Sequence, residues 1–247
     1  MPRLRVSSVG LILLIALVLL AGCAVREEIT LEPDGSGEAT LTVDLHPILV
    51  AYVSDLASAM SGVEADAAEL ALFDVAQITA EIDERPGMEL VRAEQRGRGG
   101  LTLVTRFTDI NAIFAREGAQ DVLRLERRGD ERVLTMTLGR DAVARFLEYA
   151  PDESATMIEL LFPPPDGSVT REEYREELAW ALEEYDRRAA VERALDEARI
   201  EVVVTPRGRI VSQRGGEVVD GSVRFTIPVL ELLTLREERV YSLVFVP

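Results

Sequence analysis

The stretch VREEITLEPDGSGEATLTVDL, residues 25–45, decides how the fold begins, because apolar and polar residues alternate on both sides of a turn. The alternating apolar positions are Ile29, Leu31, Ala39, Leu41, Val43 and Leu45. A period of two is typical of strands that bury one face. Residues 33–37, PDGSG, supply turn chemistry, since glycine adopts positive φ freely. The sequence therefore predicts a β-hairpin over residues 25–45.

Further strands are predicted downstream. Two pairs lie in the middle of the chain: 88–95 with 101–108, and 121–128 with 132–139. The C-terminal part is β-rich, from a strand at 200–205 to the long apolar segment RVYSLVFV at 239–246. A terminal strand this apolar belongs inside a sheet and not at its edge. We expect hairpin 25–45 and strand 239–246 to share one mainly antiparallel sheet.

Helical spacing appears in two regions. Residues 46–83 are rich in alanine and apolar residues at helical spacing, with Gly62 as the predicted boundary between two helices. Thr170 and Glu173 form a capping box, which predicts one long helix over about 170–199. Its apolar stripe comprises Tyr174, Leu178, Leu182, Tyr185 and Ala189.

The fold class expected from these segments is α+β. It combines a mainly antiparallel sheet with helical segments at about 46–83 and a long helix at about 170–199. We expect residues 23–247 to form one such domain, with a helical insertion at about 139–198.

The N-terminus predicts export. Arg3 and Arg5 precede an apolar run, residues 9–21, which ends in small residues. This order is that of a secretory signal peptide, here residues 1–22. A transmembrane helix needs about 20 apolar residues, and this run has about 13.

The segment Leu20-Ala21-Gly22-Cys23 contains the only cysteine of the chain and resembles the lipobox of bacterial lipoproteins. The resemblance implies that Cys23 becomes the acylated N-terminus after export across the inner membrane. The protein would then be held at a membrane of the bacterial cell envelope by its acyl chains, and two or more chains anchor a protein stably.

The charge and cysteine content of the chain limit its possible partners and its covalent cross-links. The net charge of the chain is −17, and removal of Arg3 and Arg5 would make it more negative. A charge of this sign disfavours nucleic acid as a partner. With its single cysteine acylated, the protein would have no disulfide.

Three stretches carry a second resemblance: EITLEPDGSGEATLTV (28–43), GLTLVTRFTDINAIF (100–114) and IEVVVTPRGRIVSQRGGEVVDGSVRFTI (200–227). Their order of turns and strands resembles the LppM-type lipoprotein domain. The resemblance implies an envelope lipoprotein with the α+β fold above, and it supplies no catalytic residues.

Catalytic and metal sites find little support in the sequence. His46, the only histidine, precedes a proline at a predicted strand-to-helix corner and cannot form the usual zinc site alone. Residues 96–100, RGRGG, could hold phosphate, but phosphate loops precede a helix and this loop joins two strands, which favours a hairpin turn. We therefore predict no cofactor, no metal and no enzymatic activity; an all-carboxylate hydrolase is the remaining enzymatic alternative.

Two functions remain. The first is a binding module for a lipid or another apolar ligand, with a cavity lined by Tyr52, Leu56 and Phe73. The second is a structural envelope protein that docks a protein partner through helix 170–199. A cavity favours the first, and an exposed apolar stripe on the helix favours the second.

Overall fold

The computed structural model describes residues 23–61, 72–116, 120–139, 163–164 and 167–247. The predicted hairpin is confirmed as β1 (Cys23–Leu31) and β2 (Gly37–Leu45), which are antiparallel. In the turn between them, the Asp34 carboxylate accepts hydrogen bonds from the Ser36 N–H at 3.0 Å and the Ser36 hydroxyl at 2.7 Å. Gly35 has a φ of +96°, a conformation that L side chains rarely adopt.

β1 lies at the centre of a seven-stranded sheet with the order β3-β4-β2-β1-β7-β10-β9. Its pairing with β7 is parallel, whereas the other pairings in this sheet are antiparallel. The five strands besides the hairpin are β3 (Met88–Arg96), β4 (Gly100–Phe107), β7 (Arg199–Pro206), β9 (Glu217–Val219) and β10 (Ser222–Pro228). The predicted strands therefore exist, within one or two residues of their expected limits.

A second sheet has four strands in the order β5-β6-β11-β8. These strands are β5 (Leu123–Arg128), β6 (Glu131–Leu138), β8 (Arg209–Arg214) and β11 (Arg239–Val246). The terminal strand β11 is interior, as predicted, and Leu243 and Phe245 are fully buried. The expectation that it shares a sheet with hairpin 25–45 was wrong, because β7 takes the position beside β1 and β11 pairs with β6 and β8.

Glycines let the chain cross between the two sheets. β7 and β9 belong to the seven-stranded sheet, and β8 between them belongs to the four-stranded one. At the second crossing, a Cβ on Gly216 would lie 2.7 Å from atoms of Phe225 and Val223. No larger residue fits there without a shift of the core, so the close approach of this crossing to β10 requires glycine.

Helices are present at both ends of the region 46–83, as α1 (Pro47–Ser61) and α2 (Val75–Asp83). The predicted boundary at Gly62 lies outside the described residues. Asp74 caps α2 by accepting a hydrogen bond from the Gln77 N–H at 3.0 Å. Two shorter helices are α3 (Ile110–Arg116) and α6 (Val229–Leu233).

The long helix predicted over 170–199 is two helices, α4 (Arg171–Leu182) and α5 (Arg188–Glu197). The capping box of Thr170 and Glu173 begins α4 as predicted. The break at 183–187 lets α5 fold back along α4 and bury Val191, Ala194 and Leu195. A continuous helix would run about 43 Å in one direction and leave those side chains without a core. Much of the expected insertion, residues 140–162, lies outside the described part of the chain.

Ion pairs join the two helices. Arg175 on α4 donates to both carboxylate oxygens of Asp196 on α5, at 2.8 and 2.9 Å. Arg188 on α5 contacts Glu176 on α4 and Glu192 one turn along its own helix. The contacts of Arg175 with Asp196 and of Arg188 with Glu176 exist only because α5 folds back on α4.

The stripe predicted on this segment belongs to the core. Tyr174, Leu178 and Leu182 are buried in the same apolar cluster as both sheets, and Tyr185 packs against it. Ala189, expected on the same stripe, is exposed because the helix breaks before it. The face opposite the stripe presents Trp180, the only tryptophan, with 69% of its surface exposed.

We predict that Leu178→Ala lowers the free energy of unfolding by about 2–5 kcal/mol, because it removes a side chain that is 6% exposed from this cluster. The exposed Glu184, in the turn between the two helices, is the control, and Glu184→Ala should change stability by less than about 0.5 kcal/mol. Urea midpoints followed by circular dichroism measure both. A larger loss for Glu184→Ala than for Leu178→Ala would contradict the packing.

Candidate functional site

Cys23 is the first residue of β1 and pairs with Leu45, the last residue of β2. At this end of the seven-stranded sheet, which we call the Cys23 end, Ala24 pairs with Arg199, and the Leu45 N–H donates to the Gly99 carbonyl at 2.9 Å. The lipobox residues Leu20, Ala21 and Gly22 lie outside the described residues. The residue predicted to be acylated is therefore part of the sheet itself.

The predicted cavity residues have different surroundings. Phe73 is 2% exposed and belongs to the main core cluster. Tyr52 is partly buried and packs edge-on against Tyr185, with ring centroids 5.7 Å apart and planes at 83°. Leu56 lies in α1, but its side chain is outside the described part of the structure. A cavity lined by all three stays a prediction.

The contact of Tyr52 with Tyr185 ties α1 to the segment between α4 and α5. Burial, a hydrogen bond to Asp55 and nearby acids raise the pKa of Tyr185 to about 12. Burial also raises the pKa of Tyr174, with a smaller contribution from Glu177. The phenols therefore stay neutral over the physiological range and act as packing and hydrogen-bonding groups.

Glu27 is the residue that sequence analysis missed. Along β1 the side chains of Val25, Ile29 and Leu31 are buried on the core face. Because strand residues alternate between faces, Glu27 lies on that same face, between Val25 and Ile29. The shared odd numbering of these residues was the signal that could have found it.

Apolar side chains flank Glu27 on both sides. Its cross-strand neighbours are Leu41 on β2 and Val202 on β7. Continuing the same row, Leu41 pairs with Leu103 and Val202 pairs with Phe225. A carboxyl group thus lies at the middle of an otherwise apolar row across the largest sheet.

The surroundings of Glu27 are unusual for a core position. Its side chain is only partly buried, as are those of its neighbours Leu41 and Ala39 on the same face. No described residue gives Glu27 a hydrogen bond or an opposite charge, and burial raises the pKa of its carboxyl.

The outer face of the same strand shows the contrast. There, Arg26 contacts Glu28 at 2.8 Å and Glu201 at 3.0 Å. Arg199 also bonds Glu201, and the hydrogen bond and charge of Arg199, with the charge of Arg26, lower the pKa of that carboxyl. The carboxylates of this face are paired, so an unpaired carboxyl on the core face is not a general property of the sheet.

The chemistry open to Glu27 follows from this arrangement. A buried ionised carboxylate without a partner is costly, so the group is favoured either as the neutral acid or when something supplies a donor or a positive charge. A molecule that contacted the apolar row with an apolar body and offered Glu27 a donor or cationic group would satisfy both. The arrangement is suited to binding an amphipathic ligand.

Other candidate chemistry is not assembled in the described part of the chain. His46 lies at the strand-to-helix corner, where its Nδ1 accepts a hydrogen bond from the Ile48 N–H at 3.4 Å. No three histidine, cysteine, aspartate or glutamate side chains among the described residues are placed to hold a metal ion. Across the same residues, no helix is long and apolar enough to cross a membrane.

No protein-family model matches the chain, and no curated protein matches it. Among solved structures, the chain is similar to the NMR structure of the Mycobacterium tuberculosis LppM protein folded domain. The similarity covers 92% of this chain and 91% of that one, with 14% identity and a TM-score of 0.42. No functional conclusion follows from a likeness this distant.

We predict that Glu27→Gln changes the pH dependence of stability. Because the folded-state pKa of Glu27 is raised, its stabilising effect is complete below the ordinary glutamate pKa and is lost as pH rises through the folded-state value. Glu27→Gln removes that loss, so the variant should gain stability relative to the wild type between about pH 4 and about pH 8.

The control for this test is Glu28→Gln, one residue along β1 and exposed on the outer face. The stability of the wild type and of both variants is measured as the urea midpoint of unfolding at the two pH values. If the difference between Glu27→Gln and the wild type is the same at both pH values, the carboxyl does not titrate abnormally and the proposed environment is wrong.

Proposed function

We propose that the protein is a lipid-anchored lipoprotein of the bacterial cell envelope. In this proposal its domain binds, without catalysing a reaction, a lipid or another apolar molecule that carries a hydrogen-bond donor or a cationic group. The acyl chains on Cys23 hold the protein at a membrane after export across the inner membrane. The apolar row around Glu27 receives the ligand.

The observation that supports ligand binding is the unpartnered Glu27 carboxyl on the core face of β1. An apolar residue at this position would match Leu41 and Val202 and would avoid the cost of burying an acid. A ligand that donates to the carboxyl offsets that cost only when it is bound. The polar group then fixes the ligand's orientation, while the apolar row supplies contact area.

Binding is favoured over catalysis by the groups next to Glu27. A general acid or base acts together with a nucleophile, a second titratable group or a metal. The in-register neighbours of Glu27 are leucine and valine, and neither can take such a role. An all-carboxylate hydrolase needs two carboxyl groups that face each other across a substrate, and these two neighbours of Glu27 do not supply the second.

Anchoring is supported by the N-terminal sequence. A basic start, a short apolar run and the box Leu20-Ala21-Gly22 precede the only cysteine. The fold is compatible with acylation at this point, since β1 begins at Cys23.

The alternative function, docking of a protein partner through helix 170–199, depended on an exposed apolar stripe. Tyr174, Leu178 and Leu182 are buried in the protein's own core. The stripe is therefore not available to a partner, and the binding module is the better-supported proposal.

We predict that a fatty-acid probe supplied to a producing bacterium labels the wild-type protein and not Cys23→Ala. The thioether forms at the cysteine sulfur, so alanine removes the acceptor atom. Gel fluorescence after attachment of a dye to the probe measures the labelling. Equal labelling of both proteins would rule out Cys23 as the acylated residue.

We also predict that native mass spectrometry of the wild-type protein detects a co-purified small molecule, and that Glu27→Leu reduces its occupancy about tenfold or more. Leucine matches the apolar row, so the variant should fold. Glu28→Leu, on the outer face, is the matched control and should keep the wild-type occupancy. Equal occupancy in Glu27→Leu and the wild type would show that Glu27 does not contact the ligand.

A further inference from the structure

We infer that the Cys23 end of the seven-stranded sheet is the face on which the protein rests against its membrane, and that Arg96 there contacts the phosphate groups of anionic lipid headgroups. This inference rests on the proposed acylation of Cys23. It adds an orientation and a specific lipid contact that acylation alone does not require.

The first step is the absence of a tether between the proposed acylation site and the sheet. Cys23 is itself the first residue of β1, opposite Leu45 of β2. A strand advances about 3.3 Å per residue, so the residues next to Cys23 lie within a few ångströms of the diacylglyceryl group. The edge of a folded sheet, and not a flexible linker, then meets the headgroup layer.

The second step is the position of the turn that joins β3 to β4. Arg96 pairs with Gly100 across this turn, and the Gly99 carbonyl accepts the Leu45 N–H. Adjacent strands are about 4.8 Å apart, so the turn lies about 10 Å from the end of β1. Gly97, at the tip of the turn, has a φ of +62° and no atom within 4 Å of the position of a Cβ, so the tip faces open space.

The third step is the charge at this end. The Arg96 guanidinium contacts both carboxylate oxygens of Asp44, at 3.1 and 3.2 Å, and its side chain is 45% exposed. Ion pairs exposed to this degree contribute little to stability, so a phosphate group can share or replace Asp44 as the partner. Guanidinium groups bind phosphate through two parallel hydrogen bonds, which lysine cannot offer.

The overall charge explains why this contact would orient the protein. The chain carries a net charge of −17, so an anionic membrane repels most of its surface. The exposed Arg199, beside Ala24 at the start of β1, is paired with Glu201 at 3.0 Å. The second arginine of the turn, Arg98, is directed inward and donates to the Ser54 hydroxyl at 3.1 Å. It therefore holds the turn against α1 and leaves the headgroup contact to Arg96.

The test uses the full acylated lipoprotein in vesicles of phosphatidylcholine alone or mixed with phosphatidylglycerol. Amide hydrogen exchange of residues 96–100 reports whether the turn meets the membrane. We expect slower exchange there in the mixed vesicles, and we expect Arg96→Gln to reduce that protection about fivefold. Intact-mass measurement of the same samples verifies that each protein is acylated.

The matched control is Arg207→Gln. Arg207 is also an exposed arginine with a single carboxylate partner, Glu32 at 3.6 Å, but it follows β7 at the opposite end of the sheet, about 30 Å away. This variant should keep the protection of residues 96–100.

Three results would overturn the inference. Acylated protein with unprotected residues 96–100 would show that the Cys23 end stands clear of the membrane, while the anchor itself would remain. Equal protection in both kinds of vesicle, or in Arg96→Gln and the wild type, would remove the anionic-headgroup contact. A protein without acylation in the mass measurement would overturn the anchor and this inference together.

Discussion

The pairing of β1 with strands on both of its sides is the constraint on which the rest of the structure depends. β2 follows β1 directly, whereas β7 lies far along the chain, and Arg26 contacts Glu201 across a separation of 175 residues. Because β7 follows β1 only after a long intervening segment, that segment has to be accommodated before β7 can complete the central sheet. Long-range pairing of this kind slows folding, because loop-closure entropy is lost before the contacts form. The α4–α5 hairpin delivers the chain to β7 and also covers the core.

Sequence periodicity predicted the individual elements well and their partners poorly. Alternation identifies a strand and its buried face, so hairpin 25–45 and the interior position of strand 239–246 were correct. It does not say which sheet a strand joins: β7 takes the place beside β1, and β11 pairs with β6 and β8 instead. The helix over 170–199 was predicted unbroken because its capping box and the apolar stripe from Tyr174 to Ala189 suit a continuous helix and do not reveal a folded-back pair. The choice between them depended on the burial of Val191 and Leu195.

The candidate site shows the same limit. Cys23 could be singled out from its neighbours in the sequence, whereas Glu27 lies between Arg26 and Glu28 and looks like part of a polar run. Register within the sheet separates it from them, since it shares a face with Val25 and Ile29. Glu27 and Cys23 are four positions apart on one strand, about 13 Å in an extended chain. Under the proposed function, a ligand would therefore be held just above the membrane surface, within reach of molecules that leave the bilayer.

The exposure of Trp180 has a practical consequence for the spectroscopy of this protein. Since the only tryptophan lies in water on the outer side of α4, its fluorescence is already that of a solvated indole in the native state. Unfolding moves this side chain from one aqueous environment to another, so the emission maximum changes little. The tyrosines Tyr52 and Tyr185, packed edge-on, lose a defined asymmetric environment instead. Loss of tertiary structure should therefore be visible in the near-ultraviolet dichroism of tyrosine while tryptophan emission stays almost constant.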